Sequence, residues 1–520
     1  MRKFLWVVAA GTLVLALAAP AGALDFKYGG EFRVRFYTGA GVGFTSTTGS
    51  DQRGAQLRVR PLFTVSDDNN NIQAVLRLEI GDIEFGNGGG ASSVQNGVNN
   101  NGGNFNAFTL APSNNRTGNG SGGSIGSDGV NVETKWAYID AAFPFGVPLR
   151  VRAGLQPWFL PKGLIVDDDV IGVRAYGNVK PVSYELAWYR QSGGTNNNTG
   201  VCPSSAVNTG VQCNPAPANT ADNNIDFLQA KIDVAIDPAF NPGIYYLYGR
   251  NAATFASAIT GNTNGDPQTS NYIGFTAAGK VGTVSYDLDF VWGQAWDSPT
   301  GNVCQTLTGA AVVCGAPNAL GRNVSGYAVD AGVHAPIGPV TLNLVGSIAS
   351  GDKRDGGNSE AFPSISPSWN GPGGLFHVIG SGGIHDPLEF SQDAPTNLWT
   401  VGLTADYRPV KQLLITAGAA FAGFMQAQGN CAYINPGVNQ ACFGPGYTRL
   451  SNDRNGNGVP DAPSTLGGLN KASPYLGTET FLWSSWDVWT GFKVQGLVGF
   501  LLPTTGTTAQ KYILQLLYSF

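Results

Sequence analysis

Residues 24–37 read LDFKYGGEFRVRFY, a stretch in which apolar and polar side chains alternate from Phe26 onward. Successive side chains of a β-strand point to opposite faces, so this period of two predicts a strand with one apolar and one charged face. The pattern returns around residues 57–60, 72–80, 132–138 and 284–292. The predicted strands that contain these segments run for about ten to fourteen residues, close to the length that a tilted strand needs to cross a bilayer.

The connections between these segments favour a membrane barrel over a soluble sandwich, in which strands also alternate. Short turns such as 66–70 and 144–146 separate long Gly-, Asn- and Ser-rich stretches such as 86–130, 351–395 and 425–474. Outer-membrane barrels show this asymmetry of short periplasmic turns and long external loops. Because a membrane leaves no open sheet edge, we predict an all-β, transmembrane antiparallel β-barrel of about eighteen strands, with sixteen as the alternative.

Both ends of the chain indicate export to the outer membrane. Residues 2–3 are basic, residues 4–19 are apolar, and Ala-Gly-Ala follows at 21–23. This order predicts a signal peptide over residues 1–23, cleaved to leave a single barrel over residues 24–520. The chain ends in an alternating strand closed by Phe520, which resembles the C-terminal signal that the barrel-assembly machinery recognises. The predicted location is the outer membrane of a Gram-negative bacterium.

The composition excludes several classes of protein. The 30 Lys and Arg against 35 Asp and Glu give 30 − 35 = −5, which argues against a nucleic-acid-binding protein. Aromatic residues make up 11% of the chain, too many for a disordered one. Only three His are present, without a nucleophile motif such as G-x-S-x-G, so no enzyme is predicted.

Three stretches carry a resemblance to a known family. They read VNVETKWAYID at 130–140, LRVRAGLQ at 149–156 and LIVDDDVIGV at 164–173. Here the chain resembles Gram-negative outer-membrane porins, most of all the homotrimeric porins of sulfate-reducing bacteria. The resemblance implies a homotrimer of water-filled pores for passive diffusion of small hydrophilic solutes and ions, with no required cofactor. It also implies outer-membrane lipid, lipopolysaccharide and the barrel-assembly machinery as partners. The alternative is a substrate-selective channel, specific for a polysaccharide or an anion, of the alginate-export type.

Residues 157–169, PWFLPKGLIVDDD, predict a loop that folds into the barrel, because they are richer in apolar side chains than the other loops. The acidic end would face the lumen, opposite arginines on the inner face of the early strands. Opposed charges in a narrow space create a transverse field. Alternatively, the three carboxylates cap an exposed loop, and some arginines pair with Glu31, Glu79 and Glu133. The predicted constriction comprises Asp167, Asp168, Asp169, Arg33, Arg35, Arg58, Arg60, Arg77, Arg150 and Arg152. The later wall is predicted to be acidic, with Asp226, Asp233, Asp287, Asp289 and Asp330.

Two further features lie in predicted external loops. The six cysteines form three close pairs, which predict local disulfides in an exported chain. The pairs are Cys202 with Cys213, Cys304 with Cys314, and Cys431 with Cys442. Asp453, Asn455, Asn457 and Asp461 stand at positions one, three, five and nine of a loop that resembles the start of an EF-hand. Ser464 replaces the acid at position twelve, so the hypothesis is weak calcium binding, against a polar Asn/Gly turn.

Overall fold

The computed structural model describes the strands of the chain and parts of its connections. The described residues are 24–40, 52–85, 132–192, 225–251, 268–296, 304–305, 313–314, 324–351, 360–365, 369, 371–378, 395–426, 475–503 and 508–520. The predicted signal peptide and the 453–461 loop lie outside these ranges. No helix in the described part of the chain has the length and apolar character needed to cross a membrane.

Eighteen antiparallel strands form one closed sheet, in which neighbours in the chain are neighbours in the barrel. They are β1 Leu24–Ala40, β2 Gln52–Asp67, β3 Ile72–Glu84, β4 Val132–Ala142, β5 Leu149–Phe159, β6 Asp167–Val179, β7 Val182–Ser192, β8 Ile225–Val234, β9 Asn241–Asn251, β10 Gln268–Val281, β11 Val284–Trp296, β14 Val324–Ile337, β15 Val340–Ala349, β16 Leu398–Val410, β17 Leu413–Phe424, β18 Tyr475–Trp489, β19 Phe492–Pro503 and β20 Ala509–Ser519. The predicted barrel is confirmed, with eighteen strands rather than sixteen.

Two strands of two residues each, β12 Cys304–Gln305 and β13 Val313–Cys314, form a separate antiparallel pair. Their register places Cys304 opposite Cys314. The side chains of these residues lie outside the described part of the structure, so a disulfide between them is not shown and stays a prediction.

The other two predicted disulfides are not supported by the structure either. Cys202 and Cys213 lie between β7 and β8, and Cys431 and Cys442 lie between β17 and β18. All four residues fall outside the described ranges. The pairing of Cys202 with Cys213, and of Cys431 with Cys442, therefore rests on the spacing in the sequence alone.

The barrel closes between β1 and β20, where Glu31 stands opposite Ser519. Beyond this register, the Gly30 amide donates to the Phe520 carbonyl at 3.0 Å and the Phe520 amide donates to the Gly30 carbonyl at 3.1 Å. The Phe520 ring stacks on Tyr518, with 5.9 Å between centroids. The last residue of the chain therefore completes the closing seam.

We expect Phe520→Ala and deletion of Phe520 to separate the two roles of this residue. The deletion removes both hydrogen bonds to Gly30, whereas the alanine variant keeps them and removes the ring alone. If the assembly machinery reads the ring, both variants lose most of the folded barrel, measured by heat-modifiable mobility in gels of outer membranes. Normal assembly of Phe520→Ala would show that the ring is not a signal.

The outer face of the barrel is apolar, and its inner face is largely polar. Side chains such as Ile139 and Leu186 are 57% and 64% exposed, whereas Asp140 and Tyr189, on the opposite faces of the same strands, are each 1% exposed. Exposed aromatic residues, including Tyr407, Trp486, Trp489 and Tyr518, stand near the rim of short turns. An apolar band with aromatic residues at its edge is the lipid-facing surface of a membrane barrel. The barrel therefore has the surface of a membrane-spanning protein.

Apolar side chains also form a core inside the barrel, where two inward segments pack on the wall. The first is residues 160–166, between β5 and β6. The second comprises the described residues 360–365, 369 and 371–378, between β15 and β16. The amide of Ile365 donates to the carbonyl of Ile165 at 3.0 Å, so the two segments meet. The sequence predicts that the first segment folds inward. It places the stretch 351–395 in an external loop, and for the described residues of the second segment that prediction is wrong.

Candidate functional site

Apolar anchors hold the first inward segment against the inner wall. Leu160, Leu164, Ile165 and Val166 have no exposed surface. Trp158, just before them, packs on aromatic rings of β7 and β8 with centroid distances of about 5 Å. The loop therefore folds inward, but it is shorter than the predicted 157–169, because β5 continues to Phe159 and β6 begins at Asp167.

The charged residue that this segment carries toward the far wall is Lys162. Its ammonium group forms an ion pair with Asp287 of β11 and lies 3.4 Å from Oδ1 of Asp330 of β14. Burial acts to lower the pKa of Lys162, but the two carboxylates outweigh it and raise that pKa above its usual value. Lys162 is therefore a fixed positive charge that links the segment to the acidic wall.

The three carboxylates at the end of the predicted loop occupy the first positions of β6. Asp167 and Asp168 are exposed. Asp169 accepts a hydrogen bond from Nε1 of Trp136 at 2.8 Å and lies 3.1 Å from the Lys135 ammonium. The structure thus gives Asp169 its hydrogen-bond and ion-pair partners on β4, and Arg77 is the predicted arginine with which it also interacts electrostatically. Which charges line the narrowest part of the lumen stays a prediction.

The structure brings the seven predicted arginines to the inner face of β1–β5, where most meet carboxylates. These pairs are Arg33–Asp82 at 2.6 Å, Arg58–Glu31 at 3.2 Å, Arg60–Glu79, Arg150–Asp140 at 2.7 Å and Arg152–Asp140 at 2.8 Å. Arg35 donates to Gln56 at 2.5 Å, and Arg77 lies 4.4 Å from the centre of the Trp136 ring. Glu31 and Glu79 are cross-strand partners, as the alternative interpretation holds, whereas Glu133 contacts Lys135 at 3.4 Å.

Several guanidinium nitrogens of this arginine wall are buried without a hydrogen-bond partner among the described residues. The Nε atoms of Arg33, Arg58 and Arg77 have no partner among the described residues. One carboxylate, Asp140, serves two arginines and also accepts from the Tyr176 hydroxyl at 2.6 Å. The early strands therefore present an excess of guanidinium groups to the lumen.

The opposite wall carries a chain of polar contacts across β11, β14, β15 and β16. His334 contacts Asp287 through Nε2 at 2.8 Å and Asn343 through Nδ1 at 2.8 Å. Nδ2 of Asn343 then donates to Thr404 at 2.9 Å and to Asp406 at 3.1 Å. The chain begins at Lys162, so the first inward segment is tied to this wall by a continuous hydrogen-bonded network.

Asp226 does not belong to this acidic wall. It forms an ion pair with Arg190 at 2.8 Å and accepts from Nε1 of Trp188 at 3.1 Å. Asp226 lies on the same side of β8 as Leu228, which is 52% exposed, and so faces outward. The prediction that Asp226 lines the lumen is wrong, because β8 begins only one residue before it and the alternation there is too short to determine its face.

The second inward segment packs on the later strands. Phe376 meets Phe481 edge to face, with centroids 5.4 Å apart, and a Cβ on Gly402 would overlap the Phe376 ring. Nε1 of Trp369 donates to Asp330 at 3.3 Å. Three large aromatic residues in an otherwise Gly- and Ser-rich loop, Phe362, Trp369 and Phe376, are the sequence signal that could have identified it.

Two carboxyl-terminal positions of this segment are held by buried charges. Oε1 of Glu479 accepts from the backbone amides of His377 and Val378 at 2.8 and 2.9 Å. The Lys511 ammonium donates to the His377 carbonyl at 2.8 Å. Glu479 is 0% exposed and Lys511 is 2% exposed. These two buried side chains therefore hold His377 and Val378 against the inner wall, away from water.

No protein-family model matches this chain, and no curated protein matches it. Among solved structures, the chain is similar to the outer membrane protein OpdK of Pseudomonas aeruginosa, with 10% identity, a TM-score of 0.47 and coverage of 95% of this chain and 98% of that one. It is also similar to OccK9 (OpdG) of the same organism, with 10% identity, a TM-score of 0.48 and the same coverage. Likenesses this low do not transfer a substrate to this chain.

Proposed function

We propose that this protein is an outer-membrane channel that passes small hydrophilic solutes down their gradients and catalyses no reaction. The observation that carries the proposal is the charged inner wall of a closed membrane barrel. Arginines line β1–β5, and Asp287 and Asp330 line β11 and β14 on the other side. Polar walls let water and hydrated solutes enter, and opposed charges orient those that carry a dipole.

The hydrogen bond between Ile365 and Ile165 supports a constricted, substrate-selective channel over a wide general porin. Two segments that meet inside the lumen reduce its cross-section, and both are anchored by apolar residues with almost no exposed surface. Large polysaccharides are therefore not the proposed solutes. Small solutes with charged groups suit this lumen, because both signs of charge face it.

Liposome swelling with matched solutes tests this function. We expect the purified barrel to admit small amino acids faster than neutral sugars of similar size, and to exclude trisaccharides, because the constriction is narrow and charged. A general porin would instead show rates that fall smoothly with size, whatever the charge. Folded protein that conducts no ions in planar bilayers would contradict a channel of either kind.

Three finer predictions accompany this proposal. The homotrimer that the resemblance implies is tested by the mass of the purified protein in detergent. The three local disulfides are tested by peptide mapping without reduction, which should join Cys202 to Cys213, Cys304 to Cys314 and Cys431 to Cys442. Calcium binding at residues 453–461 is tested by titration against a variant with Asp453→Ala and Asp461→Ala.

A further inference from the structure

A cavity of about 430 Å³ lies inside the barrel beside Lys162. Its lining includes Val234, Ala235 and Asn241, which flank the short turn between β8 and β9, so the cavity lies on the short-turn side of the first inward segment. Asp233, Asp287 and Asp289 also line it. A solute that leaves the constriction on this side meets an acidic surface.

Three of the four carboxylates around Lys162 have a nitrogen partner. Asp233 lies 3.2 Å from the Lys231 ammonium, and Asp287 contacts both Lys162 and His334. Asp330 accepts from Lys162, from the Trp369 ring and from the backbone amide of Gly373. The fourth carboxylate, Asp289, differs from these.

Asp289 is 1% exposed, and its only hydrogen bond among the described residues comes from the Tyr245 hydroxyl to Oδ1, at 3.0 Å. Its Oδ2 has no partner there. The register places Asp289 directly opposite Asp330, a pairing of like charges that is destabilising unless something compensates it. Buried carboxylates are normally paired, so an unpaired buried oxygen on a residue that lines a cavity marks a place for a donor.

We propose that the cavity binds the ammonium group of a small organic solute, with Oδ2 of Asp289 as the principal acceptor. An ammonium group supplies the positively charged contact that Asp289 lacks among the described residues and up to three N–H donors. Asp233 and Asp287 add negative potential on the same surface. This inference rests on the proposed channel function and names a substrate class for it.

The test uses planar bilayers that hold the wild-type barrel in KCl, with 1,4-diaminobutane added to both compartments. The diamine is expected to block the current, whereas 1,4-butanediol, of similar size but uncharged, leaves it unchanged. Asp289→Asn keeps an acceptor for Tyr245 and removes the charge, so the half-blocking concentration should rise at least about tenfold. Asp233→Asn, at a more exposed carboxylate, should raise it less.

Asp68→Asn is the control, because Asp68 is an exposed carboxylate in the turn between β2 and β3. Its block by the diamine should match the wild type. A conducting wild-type barrel that the diamine does not block would overturn the amine site and leave the channel function standing. Equal block of the wild type and a folded, conducting Asp289→Asn would also overturn it. A wild type without conductance would overturn both.

Discussion

Glu479→Ala should widen the channel, with a rise in single-channel conductance of roughly twofold or more, because the variant releases the second inward segment. Oε1 of Glu479 accepts from two buried backbone amides, those of His377 and Val378. Each amide left without an acceptor costs about 1–3 kcal/mol. The two amides are then better satisfied by water than by the wall. The second inward segment therefore spends less time packed against the inner wall.

Glu479→Gln is the matched variant, because its side-chain carbonyl can still accept from both amides. We expect its conductance to stay near that of the wild type, apart from added current noise. Glu133→Ala, which removes a carboxylate that contacts Lys135, controls for the loss of negative charge alone. Equal conductance of Glu479→Ala and the wild type, with both folded, would show that residues 376–378 do not narrow the pore.

Lys162→Met should shift the channel toward cations, with a rise in the potassium-to-chloride permeability ratio of roughly fivefold. The variant leaves Asp287 and Asp330 without their shared ammonium partner. A change of about 1 kcal/mol in the interaction with a passing ion corresponds to this factor. The measurement is the reversal potential in a KCl gradient.

The triple variant with Asp167→Ala, Asp168→Ala and Asp169→Ala tests, in the same experiment, whether the carboxylates at the start of β6 line the constriction instead. If the acidic start of β6 lines the constriction, its loss shifts selectivity toward anions. If Lys162 and its two partners line it, the triple variant changes the reversal potential much less than Lys162→Met does. If Lys162→Met leaves the reversal potential unchanged, Lys162 does not line the constriction.

The barrel itself could be predicted from sequence because its signal is local. Alternation from Phe26 to Phe36 falls within β1, and the alternating strand predicted just before Phe520 corresponds to β20 at 509–519. Each strand needs an apolar face toward lipid, and that requirement is met by neighbouring residues in the chain. Strand number and closure follow from the same repeated pattern.

The interior could be predicted only in part, because its contacts join residues far apart in the chain. Apolar anchors around residue 160 predict that the first inward segment folds inward. They do not predict that the partner of its lysine is Asp287, which lies 125 residues away. The place of Asp169 depended on where β6 begins, since strand positions alternate between faces. A difference of one residue at that boundary changes which charge reaches the lumen.

The contacts of residues 360–378 bear on the order in which the protein is assembled. Apart from the hydrogen bonds to Leu164 and Ile165, the contacts described for this segment come from β11 and from strands later in the chain, as far as Lys511 of β20. The later half of the barrel therefore supplies nearly all the described contacts of this segment. The segment can therefore pack on these strands while the sheet is still open, before β1 pairs with β20. It does not have to be inserted into a barrel that has already closed.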